Sequence, residues 1–288
     1  MFRCVRALKA SHEVATICGV LDVSRSGYYA WAERAPSQRS VDDIELVERI
    51  RQKHKESYQT YGYRRIHADL RDDGIQVGAR RVRRLMRENG ICGITRKLRR
   101  RIRQLEVQGL HAVDLVRREW FPLGPNQLYV ADITQVATWQ GILYVAVVMD
   151  VFSRRIVGWS IERNMRAEII IEALEMALHH RIPDGELVHH SDHGSQYTSY
   201  TFGATLRKAG ILPSMGRVKT CYDNAVAESF FATFKKDLIR RRAWPDIVEC
   251  RSAIFEYVEG FYNLKRRHSS IGNISPVQYE RNHAAQTA

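Results

Sequence analysis

Gln127-Leu-Tyr-Val-Ala-Asp-Ile-Thr134 is apolar and rich in β-formers, and it carries an acid, Asp132, inside what reads as a strand. Its strand runs from about Leu128 to Thr138. After a Gln140-Gly141 turn, Ile142–Met149 is a continuous apolar run that suits a buried central strand. Ile156–Ile161 reads as a third strand. A helix over Ala167–His180 follows, with Ile170, Ile171, Leu174 and Leu178 inward. Then come a strand at Leu187–Ser191, a helix at Tyr200–Ala209 and a short strand at Ile211–Met215. The last helix of the series runs from about Asn224 to Arg240, capped by Asp223, and Ile247–Tyr262 reads as one more. Periodicity alone supports a mixed α/β domain.

Two further acids stand where chemistry is expected. Asp192 ends the strand-like run Leu187-Val-His-His-Ser-Asp192, ahead of a Gly-Ser turn. Glu228 lies on the helix Asp223-Asn-Ala-Val-Ala-Glu-Ser-Phe-Phe-Ala-Thr-Phe-Lys-Lys236, and 35 residues separate the two acids. Two strand-borne acids and one helix-borne acid can converge on a pair of divalent cations, a clamp for the attacking and leaving oxygens of a phosphodiester displacement. Magnesium suits a few carboxylates plus water and phosphate oxygens, with manganese able to substitute. Asp150 is expected in a turn and Asp223 as a cap, neither as a ligand. His189, His190 and His193 surround Asp192, but no Cys pair or His-x3-His helix accompanies them, so zinc is not expected. Gly194-Ser195-Gln196 fits a plain turn or a close approach to a DNA backbone equally well. Phe230, Phe231 and Phe234 read as core.

Around these acids the words Ala131-Asp-Ile-Thr134, Val148-Met-Asp-Val-Phe-Ser-Arg154, Ser191-Asp-His-Gly-Ser-Gln-Tyr197 and Cys221-Tyr-Asp-Asn-Ala-Val-Ala-Glu-Ser-Phe-Phe231 recur in a known family, as do Tyr262-Asn, Arg267-His-Ser-Ser-Ile-Gly272 and Ser275-Pro276. Over nearly its whole length the chain resembles the OrfB-type DDE transposases of insertion-sequence family three, which have a retroviral-integrase-like core. The resemblance implies a ribonuclease-H-like catalytic core with Asp132, Asp192 and Glu228 as catalytic and metal-binding acids. It also implies that Lys235, seven residues after Glu228 on the same helical face, holds the DNA end. Retroviral integrases begin with a His/Cys zinc module that is not visible here; the insertion-sequence relatives carry helix-turn-helix arms instead. In that family an upstream frame, the OrfA-type product, often adds a DNA-binding and dimerising segment by frameshifting. No leucine heptads occur here, so the chain is expected to be the downstream product, with an OrfA-type partner or fusion.

Charge supports a polyanionic partner. The 288 residues carry 45 Lys+Arg against 32 Asp+Glu, net +13; residues 1–120 hold +11 of that and residues 121–288 only +2. Scattered cysteines at 4, 18, 92, 221 and 250 show no Cys-x-x-Cys pair, so neither a disulfide framework nor a zinc knuckle is expected. No run of 18 apolar residues marks a membrane span. The opening Met1-Phe-Arg-Cys-Val-Arg lacks the apolar stretch of a signal peptide. A cytoplasmic, bacterial protein, nucleoid-associated when bound to DNA, is the expectation.

Residues 1–35 fit a helix-turn-helix or an ordinary helical hairpin: Ser11 as N-cap, Val14, Ile17, Cys18 and Leu21 at helical spacing, a turn at Asp22-Val-Ser24, and Ser24 capping a helix through Tyr28, Tyr29 and Trp31. Pro36–Ser40 reads as a linker. Residues 40–95 form a second helical segment. Ser40 caps a helix carrying Ile44, Val47 and Ile50, with Asp42 and Asp43 favoured by its dipole. Ile66 and Leu70 mark a short helix broken at Gly74. A helix from about Gly78 to Asn89 turns Val82, Leu85 and Met86 inward and surrounds itself with Arg80, Arg81, Arg83, Arg84 and Arg87. Five arginines on one short helix need an anionic neighbour, and DNA supplies one. Residues 96–120, starting Arg96-Lys-Leu-Arg-Arg-Arg-Ile-Arg103, read as a basic linker along phosphates. The core occupies residues 121–245. A C-terminal helix and basic tail take 246–288, with Lys265-Arg-Arg-His268 a further DNA contact.

The expected function is metal-dependent cleavage at the terminal inverted repeats of an insertion sequence and strand transfer into target DNA, by at least a homodimer on double-stranded DNA. In the resembling family the first joining bridges the two ends into a circular intermediate. Two alternatives are a DNA-binding regulator with an inactive core, and a nuclease of the same fold that never joins strands.

Overall fold

The computed structural model describes residues 1–94, 122–183, 185–191, 196–215 and 225–287. The chain divides into two compact units, residues 1–53 with 66–91 and residues 54–65 with 92–288.

In the first unit, α1 (Phe2–Leu8), α2 (Val14–Val20) and α3 (Arg25–Ala32) close a small core of Val5, Ile17, Cys18 and Tyr28. Ser24 caps α3 as expected, its hydroxyl accepting the Gly27 N–H at 2.8 Å. Ser11 caps nothing: its N–H bonds the Leu8 carbonyl at the end of α1, and Glu13 occupies the cap position of α2. Phe2, Val5 and Leu8 stand at helical spacing on α1, a helix additional to those expected. Next, α4 (Gln38–Glu56) starts two residues ahead of Ser40, and the Ser37 hydroxyl accepts the Ser40 N–H at 3.3 Å. Then α5 (Tyr63–Asp72) buries Ile66 and Leu70, and the chain turns at Gly74, whose φ of 80° suits a residue without Cβ. Val82, Leu85 and Met86 are the buried stripe of α6 (Ala79–Glu88), as the spacing predicts.

Among the described residues of the second unit, five strands form one sheet in the order β3-β2-β1-β4-β5. Antiparallel pairs join β1 (Leu128–Thr138), β2 (Gly141–Asp150) and β3 (Ile156–Glu162); β4 (Val188–Ser191) and β5 (Leu212–Met215) run parallel to β1. This order is that of the ribonuclease-H-like fold expected above. One face of the sheet meets α7 (Glu168–His180) and α8 (Tyr200–Lys208), burying Tyr129, Ala131, Ala146, Val148, Ile170, Leu174 and Phe202 in one cluster. Gly158 on β3 is obligatory there: a Cβ would stand 1.9 Å from the Ala173 carbonyl of α7.

Because side chains alternate along a strand, Val130, Asp132 and Thr134 point to the other face. There α9 (Ala225–Asp237) packs against β1. Its Phe230 and Phe234 stack at 5.7 Å between centroids and meet Tyr262 and Tyr257 respectively. Those tyrosines lie on a π-helical stretch, Glu256–Tyr262, that continues α10 (Ile247–Phe255), so the expected single helix is continuous but wound wider in its second half. Asn263 completes the β3 edge, its side-chain amide bonding both the N–H and the carbonyl of Ile156 at 2.9 Å. Tyr58 and Tyr61 join this unit too: Tyr58 packs edge-on to Tyr257, and the Tyr61 hydroxyl accepts the Arg267 N–H at 2.8 Å. The C-terminal helix α11 (Pro276–Thr287) carries Glu280, which accepts bonds from Ser153, Arg155 and Arg181.

Of the basic segment 265–268, expected to contact DNA, only Lys265 is exposed. Arg266, Arg267 and His268 are buried; Arg266 pairs with Asp237 at 3.0 Å and Arg267 donates to the Asn273 carbonyl at 3.0 Å. Charge in a sequence does not distinguish a solvated arginine from one buried against an acid supplied 29 residues earlier.

Candidate active site and nucleic-acid interface

Asp132 sits half-buried at the middle of β1, the central strand, opposite Val147 of β2. Its Oδ1 accepts the N–H of Ile133 at 2.8 Å. Glu228 lies in the first turn of α9, where the helix dipole favours an acid. Lys235 lies in the last turn of the same helix. Burial, first, and the neighbouring Arg240 hold its ammonium below the usual lysine range, while the Asp132 carboxylate opposes that shift. α9 packs against β1, the strand that carries Asp132, and Glu228 and Lys235, seven residues apart, share one face of that helix.

Asp192 follows Ser191, the last residue of β4, and lies outside the described residues, as do His193, the Gly194-Ser195 turn and the expected cap Asp223. Among the described residues no three His, Cys, Asp or Glu side chains gather into a metal-holding group. The donors at hand, carboxylate oxygens from a strand and a helix, fit a hard divalent cation such as magnesium.

The rival residues have structural work. Asp150 is fully buried and accepts N–H bonds from Asn126 and Phe152, both at 2.9 Å, and from Arg181 at 3.2 Å, which is the turn role expected of it. Burial pushes its carboxyl up to about 6. His190 Nδ1 bonds Ser214 at 2.9 Å, and His189 is buried against Phe202. Phe230, Phe231 and Phe234 are core, as read.

On α6 the five arginines separate into two groups. Arg81 and Arg84 already have an anion: Asp43 of α4 accepts from them at 2.7 and 2.6 Å. The Arg84 hydrogen bond is the main cause that holds the Asp43 carboxyl below its ordinary value. The expectation that Asp43 serves the α4 dipole gives way to this pairing. Arg80, Arg83 and Arg87 are more exposed, at spacings of three and four that align them on one stripe.

An integrase core family model matches residues 122–221, and a second integrase core model matches residues 209–276. A helix-turn-helix-like domain model matches residues 41–99, which places that match on the α4–α6 segment rather than on α1–α3. The fold and these matches define an integrase-core protein of the polynucleotidyl-transferase class with a helix-turn-helix-like segment. Within that class the chain belongs to the insertion-sequence transposases and acts in DNA transposition and integration. It is 39% identical over 91% of its length to an insertion element IS600 31 kDa protein of Shigella sonnei, covering 97% of that protein. It is 38% identical to a putative transposase for insertion sequence element IS986/IS6110 of Mycobacterium tuberculosis, covering 92% of this chain and 98% of that one. The transposase InsF for insertion sequence IS3A of Escherichia coli is 33% identical, covering 96% and 97%. A solved structure of the HTLV-2 integrase catalytic core domain in complex with magnesium aligns at 16% identity and a TM-score of 0.41, covering 55% of this chain and 98% of that one.

Proposed function

We propose that Asp132, Asp192 and Glu228 form a DDE site that holds two magnesium ions, with manganese able to substitute. With it the protein cuts DNA at the terminal inverted repeats of its insertion sequence and joins the freed 3′-hydroxyl to a second phosphodiester. The observation that carries this reading is the packing of α9, which bears Glu228 and Lys235, against β1, which bears Asp132. The strand register supports the third member: Val130 stands level with His190, and in sequence Asp132 and Asp192 each follow two residues later. When bound, the ions would steady the attacking and leaving oxygens of the displacement.

The chain's own groups do the rest. Asp132 lies on β1, which pairs with β2 along its length and with β4 as far as Val130, so its carboxylate is offered from a rigid element. Glu228 brings a second from the helix. Lys235, whose ammonium cannot ligate a metal while it carries its proton, would attract a phosphate of the DNA end. Arg80, Arg83 and Arg87 contact DNA from the arm, whereas Arg81 and Arg84 serve the fold through Asp43. Joining two ends calls for at least a dimer on DNA, with an OrfA-type product as partner or fusion, at work on the nucleoid in the cytoplasm. No helix among the described residues is long and apolar enough to cross a membrane.

Asp132→Asn, Asp192→Asn and Glu228→Gln, assayed for magnesium-dependent nicking of an end-containing duplex, test the site. Each is expected to abolish nicking while DNA binding persists. Near-wild-type nicking by Asp192→Asn removes it from the site, and nicking without any joining favours the nuclease reading.

A further inference from the structure

The connection between β2 and β3 sends three consecutive side chains to two destinations. Ser153 Oγ and Arg155 Nη1 both donate to Glu280 of α11, at 2.6 and 2.9 Å. Arg154, between them, turns the other way, and its guanidinium donates to the hydroxyl of Ser229 on α9. Its backbone adopts φ 63°, a left-handed conformation that L residues rarely hold unless surroundings fix it, and its N–H bonds the Asp150 carbonyl at 2.8 Å. Asp150 is itself fixed from three sides.

At the receiving end the geometry is equally determined. The Ser229 hydroxyl gives its own proton to the Val226 carbonyl at 2.7 Å, which leaves its lone pairs for Arg154. The guanidinium lies beside the buried Tyr262 and His268; it opposes the rise that burial imposes on the Tyr262 hydroxyl, and it adds to the burial that keeps His268 neutral. Phe230, Phe231 and Phe234 seat α9 by apolar packing, which fixes distance better than rotation. Arg154 supplies a directional tie one residue after Glu228.

We infer that Arg154 is a positioning residue: it clamps the first turn of α9 to the β2–β3 connection and so sets the direction in which Glu228 presents its carboxylate. The inference rests on the DDE reading of Glu228. Magnesium tolerates little departure from octahedral geometry, and partners that orient a ligand from behind typically change metal affinity by about 10- to 100-fold.

The test uses the full chain. Arg154→Ala is expected to raise the magnesium concentration for half-maximal nicking by about 10- to 100-fold. The concentration at which magnesium raises the melting temperature should shift in parallel, and metal-free binding of an end duplex should not change. Arg154→Lys, keeping the charge and one donor, should fall between Arg154→Ala and wild type. Ser229→Ala, which leaves helix and core intact, should shift both midpoints in the same direction and decides the matter if Arg154→Ala does not fold. Unmoved midpoints in Ser229→Ala, or a lowered melting temperature with wild-type magnesium dependence in Arg154→Ala, overturn the inference. Glu228→Gln in the same assay separates the two ideas. If it nicks like wild type, the DDE reading fails; if it is inactive while the Arg154 and Ser229 variants keep wild-type midpoints, only the positioning role fails.

Discussion

Lys235, in the last turn of α9, lies within electrostatic reach of Asp132 on β1. The two charges come from elements about a hundred residues apart in sequence, and Glu228 lies two helical turns back on the same face, about 10 Å along the axis at 1.5 Å per residue. Lys235→Ala should reduce end cleavage and joining while leaving the magnesium midpoint near wild type. Lys235→Arg should retain more of both activities, because the charge persists. Rates across a magnesium titration, on end-containing and scrambled duplexes, distinguish this from a role in metal binding, which would move the midpoint instead.

The separation of the α6 arginines gives a second expectation. Replacing Arg80, Arg83 and Arg87 together with alanine should reduce the log–log salt slope of DNA binding by about 2.7, if each meets one phosphate. Replacing Arg81 and Arg84 should instead lower the stability of the first unit, because Asp43 loses both partners. Equal loss of affinity from the two sets, without loss of melting temperature in the second, would contradict the division.

How much of this was legible in the sequence depends on the range of the interaction. The strand that carries Asp132, the helix that carries Glu228, and the buried stripe Val82, Leu85 and Met86 are all written in local periodicity, and they appear within about three residues of where that periodicity puts them. Helix caps are less secure: Ser24 caps α3, but Ser11 and Ser40 do not cap the helices assigned to them, because several serines near a helix start offer equivalent chemistry. Pairings across long separations were invisible. Nothing in the arginine-rich stretch announces that Asp43 claims two of its members, and Arg266 looked like a DNA contact until Asp237 stood against it. The word Val148–Arg154 was recognisable, but the role of Arg154 depends on Ser229, 75 residues away.

Asp237 and Arg266 make a third case. Both are almost wholly buried, and the Tyr257 hydroxyl joins them at 3.3 Å from Asp237. Removing one partner strands the other charge in the core, which typically costs about 3–5 kcal/mol. Asp237→Ala and Arg266→Ala should therefore each lower the denaturant midpoint strongly, with no separate change in the salt dependence of DNA binding in the protein that remains folded. A stable Arg266→Ala with a reduced salt slope would restore the segment 265–268 as a DNA contact.

His189 offers a pH-dependent test. Its ring is buried on β4 against Phe202, 5.3 Å between centroids, and among the described residues no other side chain bonds its ring nitrogens. Burial, with His190 adding to it, pushes the imidazole down to about 4. In the unfolded chain a histidine titrates near 6.5, so between the two values the unfolded state binds a proton that the folded state refuses. The contribution is therefore intact above about pH 6.5 and is lost as pH falls, by up to about 1.4 kcal/mol per pH unit. His268, pushed down to about 2 by burial and three arginines, adds the same sign. His189→Phe removes one of these two titrations in a site already lined by aromatic rings. Unfolding free energies of wild type and His189→Phe, measured at about pH 7.5, 6 and 5, should show the difference shifting towards the variant as pH falls below about 6.5. A difference that stays constant across the series would mean that His189 is not held neutral in the folded protein.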